Sequence, residues 1–173
     1  MLKLNLLLIV FIFPATANAQ TTTQEQATVQ RTIENLFSAL TNADTLAMKS
    51  FTTRNVRFYE YGEIWTMDTL IHKVIQSKSI PDFKRTNKFE FVSTTIKKET
   101  AWVTYYLQST ITRNGKEEIV KWMETVVLIK EKKQWKIEVL HSTRLPKNKM
   151  KKTFWPSHYN PFAFSWILFC LLY

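Results

Sequence analysis

Two side chains stand where a half-buried strand would ordinarily carry an apolar group. Glu124 alternates with Val120, Trp122, Val126 and Leu128, and period-two spacing puts its carboxylate on an otherwise apolar face. A carboxylate there is either desolvated and shifted in pKa, as an acid or base requires, or paired with a cation. His141 follows Trp135, Ile137 and Val139 in the same alternation. An imidazole in that place could bind a ligand or shuttle a proton near neutral pH, or be a satisfied core histidine. Glu60 and Glu63 flank Gly62 and could sit at a pocket mouth, or be solvated charges at a hairpin end. Tyr59 and Tyr61 share a strand face, as do Trp102 and Tyr106. With Trp65 and Trp122 they could wall a site for a flat or apolar ligand, or simply form aromatic core.

Other chemistries find less support. The chain has three Asp, namely Asp44, Asp68 and Asp82, all at expected helix starts or loops and none on a strand. His72 belongs to the polar side of an expected helix and His158 to the tail, and Cys170 is the one cysteine. That spacing offers no metal set, so neither metal nor cofactor is expected. Two glycines argue against a glycine-rich phosphate loop. No serine stands in an elbow-like context.

The elements that must hold these side chains can be read from periodicity. Val29, Ile33, Leu36, Phe37 and Leu40 share one face of a helix over 24–40. Asp44 is placed to cap a short helix over 45–51, and Thr66 another over 67–77 with the stripe Met67, Leu70, Ile71, Val74, Ile75. Strands are expected over 54–61, 63–65, 88–97, 101–113, 117–130 and 135–143, with Asn114-Gly115 as a favoured hairpin turn. Helices collected ahead of a meander predict an α+β fold. We expect a cone-shaped, strongly curved antiparallel sheet with three helices from the N-terminal half packed on its concave face.

Both ends differ in kind from this body. Lys3, an apolar run over 6–13 and Ala17-Asn18-Ala19 fit a cleaved signal peptide over 1–19. Export to a periplasmic or extracellular location is therefore expected. The domain is expected over 20–146, followed by a basic linker and apolar tail over 147–173. The net charge of +10 is uneven: 20–143 carries +4, whereas 144–173 carries five Lys/Arg and no acid. A solvated linker explains that tail better than nucleic acid or membrane does, since no basic face interleaved with aromatics appears in the body. The last apolar run, 162–173, is shorter than the ~20 residues needed to span a bilayer.

The ordered set of Ala39-Leu40, Asn42-Ala43-Asp44, Tyr61-Gly62-Glu63-Ile64-Trp65, Ala101-Trp102-Val103 and Trp135 to Ser142 resembles the nuclear transport factor 2-like superfamily, in its SnoaL-like secreted branch. The resemblance spans about residues 24–145. It implies a cystatin-like cone with a pocket and, often, a homodimer through the sheet. Enzymes of this fold, such as ketosteroid isomerases, dehydratases, polyketide cyclases and epoxide hydrolases, place ionisable groups inside the cone. Neither the Asp-Arg-Asp set of the epoxide hydrolases nor the His-Asp pair of the dehydratases is recognisable here. The leading expectation is thus a non-catalytic domain binding a small apolar or aromatic molecule. The alternatives are an isomerase, dehydratase or cyclase using Glu124 and His141 as an acid–base pair, and a dimerisation scaffold whose cone is filled. If the domain ends near residue 146, a chain lacking 147–173 will be soluble and show a cooperative thermal melt. Insoluble or non-cooperative protein would place the tail within the domain.

Overall fold

The computed structural model describes residues 23–146. The signal peptide and the tail expected from sequence lie outside them. Thr23 caps helix α1 (Gln24–Asn42) through a reciprocal capping box with Gln26. Ala43, in the left-handed conformation, ends it. Asp44 caps α2 (Thr45–Ser50), which buries Met48. Strands β1 (Thr52–Glu60) and β2 (Glu63–Trp65) form a hairpin across Tyr61 and Gly62, both at positive φ, as a type I′ turn demands. Thr66 caps α3 (Met67–Lys78). The meander β3 (Lys84–Lys97), β4 (Thr100–Arg113), β5 (Lys116–Glu131) and β6 (Gln134–Arg144) follows.

The six strands make one sheet in the order β2-β1-β6-β5-β4-β3. Every pair is antiparallel except β1–β6, which is parallel, so the first long strand and the last lie side by side inside the sheet. Irregularities in β3 near Val92, in β1 between Thr52 and Arg57, and in β6 at Glu138 interrupt the ladders. Such insertions bend a strand and sharpen its twist, which curls this sheet into a cone. The inner face carries Val56 and Phe58 from β1, Val103, Tyr105 and Leu107 from β4, Val126 and Leu128 from β5, and Ile137 and Leu140 from β6. Val29, Ile33, Leu36 and Phe37 of α1 join the same core. Burying such a face at about 25 cal/mol per Å² is the main term opposing chain entropy.

The helices do not share the concave face equally. Helix α1 packs against β3 and β6, whereas α3 touches β1 and β2 and fully buries only Met67. Its stripe residues Leu70, Ile71 and Val74 are half-buried and Ile75 is exposed, so α3 roofs the end of the cone instead of filling it.

The α3–β3 connection is tied down by Asp82. Its carboxylate accepts from the backbone amides of Asn114 (2.8 Å) and Gly115 (2.6 Å) in the β4–β5 turn. These bonds hold its pKa below the usual carboxylate value. A carboxyl with a depressed folded pKa adds stability above its unfolded value of 3.8, and that stability is lost as pH falls through the folded value. Asp82→Ala should therefore melt below the wild type at pH 7, with the gap narrowing as the pH falls below the unfolded value of 3.8. A gap that persists unchanged in acid would show that the carboxylate is not what holds the turn.

Candidate functional site

A cavity of about 370 Å³ opens between α3, the end of α1 and the inner face of the sheet. Phe37, Leu40, Phe58, Leu70, Val74 and Trp122 supply apolar wall. Set into that wall are Glu60, Arg85, Glu124 and Ser142, with Lys73 on the roof.

The register explains why the polar groups meet. Glu124 pairs with Tyr105 on one side and Ser142 on the other, and Phe58 pairs with Leu140. Two residues further along, Glu60 reaches the level of Ser142. Glu60, Ser142, Glu124 and Tyr105 thus form a row across β1, β6, β5 and β4. Glu124 is 3% exposed, and its Oε1 accepts a hydrogen bond of 3.0 Å from the Ser142 hydroxyl. Its Oε2 and the Tyr105 hydroxyl are enclosed and neither has a hydrogen-bond partner of standard geometry among the described residues. Burial raises the pKa of Glu124. Burial, and then the charge of Glu124, raises that of Tyr105. Glu60 is pushed up to about 7 by burial and by the neighbouring charge of Glu124. A carboxyl there is partly protonated at neutral pH and can give or take a proton.

Arg85 comes from the other side of the cone. Its Nε donates to Asn87 Oδ1 (3.0 Å) and to Ser109 Oγ (3.3 Å). Asn87 is itself fixed by Ser109 (2.6 Å) and Thr41 (3.3 Å). The guanidinium lies over the rings of Phe37 and Trp122, at 5.6 and 5.7 Å from their centroids. Burial lowers its pKa, while the charges of Glu124 and Glu60 oppose that.

Four of the expected site residues, Tyr61, Trp65, Trp122 and Glu124, line this cavity. The other four, Tyr59, Trp102, Tyr106 and His141, do not. Trp102 and Tyr106 alternate with the buried Val103, Tyr105 and Leu107, so they point out of the cone. Both faces of β4 carry aromatics, and the series Ala101, Val103, Tyr105, Leu107, Ser109 proves to be the inner one. His141 is exposed because of the extra residue in β6. Leu128 pairs with Ile137 but Val127 pairs with Val139, leaving Glu138 unmatched. Beyond that point the phase reverses, Leu140 and Ser142 turn inward, and His141 packs edge-on against Tyr59, 6.3 Å between ring centroids. His141 thus stands on the outer face and does not line this cavity with Glu124, and the other carboxyl set into the cavity wall is that of Glu60. Arg85 and Asn87 escape sequence reading because the expected strand starts at residue 88. Period-two alternation back from Phe91 and Phe89 reaches both, and it was their polarity that disguised the strand. Among the described residues no His/Cys/Asp/Glu cluster fit for a metal occurs.

The SnoaL-like domain model matches residues 29–145. No curated protein matches by sequence. Similar solved structures include a conserved protein from Planctomyces limnophilus (TM-score 0.61, 11% identity, covering 70% of this chain and 98% of the other). A ketosteroid isomerase-like protein from Erwinia carotovora atroseptica is also similar (0.59, 15%, 71% and 98%). So is a nuclear transport factor 2-like superfamily protein from Salmonella enterica (0.61, 16%, 75% and 96%). At these identities the likeness concerns the fold alone.

The raised pKa of Glu60 has a measurable consequence for stability. Below its unfolded value of 4.5 both states are protonated and Glu60 contributes nothing. Between 4.5 and about 7 the unfolded chain ionises first, so stability falls as pH rises, and the loss is complete above about 7. Glu60→Gln should match the wild type at pH 4 and exceed it at pH 8 by about 2 kcal/mol, after allowance for partial solvent exposure. Urea melts at the two pH values would refute the assignment if the difference were the same at both.

Proposed function

The chain belongs to the SnoaL-like domain family, and we propose that it uses its cone to bind a small molecule with an apolar or aromatic body. The observation that carries this reading is the open cavity between α3 and the sheet, walled by Phe37, Leu40, Phe58, Leu70 and Trp122. Cavities of ~300–1,000 Å³ lined by apolar groups with a few convergent polar ones are the usual form of small-molecule sites. A filled cone would suit the scaffold reading better; here the aromatics Phe89, Phe91 and Tyr105 pack against one another beside the space without closing it.

A second reading, proton transfer on the bound molecule, is favoured by one observation. Glu60 sits in the wall with its pKa at about 7, beside the more deeply buried Glu124. Two carboxyls whose surroundings set them apart can divide acid and base roles, with Glu60 as the exchanging group. In this reading Glu60→Gln abolishes turnover and leaves ligand affinity within a few-fold.

Export is part of the proposal and rests on the amino-terminal segment alone. Protein purified from its native compartment answers both questions by mass spectrometry. The intact mass should correspond to a chain beginning at Gln20. Native spectra should show an organic molecule that is lost when Leu70→Trp fills the cavity. Wild-type protein that neither retains nor takes up any apolar compound from a metabolite extract would overturn the binding reading.

A further inference from the structure

The half-buried guanidinium of Arg85 is prepared for a partner that the protein does not provide. Its Nε is used by Asn87 and Ser109, which fixes the direction of the fork. Its two terminal nitrogens form no hydrogen bond or ion pair with any described residue, although the side chain lines the cavity among Phe37 and Trp122. Glu60 and Glu124 influence it through space, yet neither comes within salt-bridge distance. A planar fork whose Nη groups open into a cavity without a protein partner matches a carboxylate in bidentate geometry.

We propose that the ligand of this cavity is an apolar or aromatic carboxylic acid whose carboxylate is held by the two terminal nitrogens of Arg85. The inference rests on the binding reading above and narrows it to one class of ligand. The apolar wall takes the body of the molecule, and the Asn87–Ser109–Thr41 network keeps the fork in place. The other charged or titratable groups facing this end of the cone are Glu60 and Tyr61 at the end of β1, Lys73 of α3, Tyr105 of β4 and Glu124 of β5. An arriving carboxylate is repelled by any ionised glutamate among them. Occupancy therefore favours the state in which Glu60 carries its proton, and binding takes up protons near neutral pH. A monoanion disturbs this set less than a phosphate dianion would, which is why a carboxylate is assigned.

The test uses 1-naphthylacetate, its primary amide and the neutral probe N-phenyl-1-naphthylamine, titrated calorimetrically against the chain. The acid is expected to bind at least about tenfold more tightly than the amide at pH 6.5, a step of one decade in Kd. Its affinity should weaken from pH 6 to pH 8, with proton uptake visible as a dependence of the heat on buffer ionisation enthalpy. Arg85→Gln should abolish the preference for acid over amide while the neutral probe still binds. If that variant does not fold, the acid–amide ratio and proton uptake of the wild type decide. Equal or tighter binding of the amide overturns the carboxylate assignment and leaves the pocket standing. Failure of all three compounds, the neutral probe included, overturns the pocket reading itself.

Discussion

At Glu138, strand β6 carries one residue more than β5 can match, and the direction of every side chain beyond it is reversed. Thr53 of β1 donates a hydrogen bond to the Glu138 carboxylate, so the extra residue is fastened to the neighbouring strand as well. The reversal turns Leu140 into the core and Ser142 onto Glu124, and it leaves His141 outside against Tyr59. It also sits where β6 changes partner character, antiparallel to β5 on one side and parallel to β1 on the other. Without that insertion the row of Glu60, Ser142, Glu124 and Tyr105 would be broken at its middle, because the hydroxyl between the two glutamates would face solvent.

The site built on that row opposes the fold that holds it. The sheet interior is apolar enough to raise both carboxyls and to lower Arg85, all by withdrawing water. A hydrophobic cluster in the same space would hold the strands together better, because desolvated ionisable groups repay little unless well paired. The neighbouring core compensates. Tyr105, Leu107, Val126, Leu128 and Ile137 are almost wholly buried around the polar strip. Polar groups thus stand among apolar ones in the cavity wall, beside a core that is aliphatic and aromatic.

Periodicity in the sequence carried the element order, the capping residues Asp44 and Thr66, and the inward placement of Glu124, because each depends on local spacing. The order of helices ahead of a meander carried the cone, and the family resemblance agreed with it. What periodicity could not carry was phase across an irregularity. Nothing in Trp135 to Ser142 marks Glu138 as supernumerary, since Lys136, Glu138 and Leu140 continue a regular alternation. Only pairing with β5 and β1 exposes the insertion. Arg85 and Asn87 were concealed differently: a strand whose inward residues serve a site lacks the apolar rhythm by which strands are found. The parallel junction of β1 and β6 was likewise invisible, because no local signal specifies a partner at the far end of the chain.

That junction has a consequence for how the chain acquires its structure. The meander β3 to β6 can assemble from neighbours in sequence, each hairpin closing a short loop. Strand β1 cannot, because the strand that completes it is made last. Until β6 is in place, β1 has only the three-residue β2 beside it, and its inner residues Val56 and Phe58 lack Leu140. Ordering the long intervening segment must precede the reward of that contact, so the final closure is the entropically expensive step. The cavity, whose wall takes Phe58 from β1 and Leu140 and Ser142 from β6, is therefore complete only when those two strands have met.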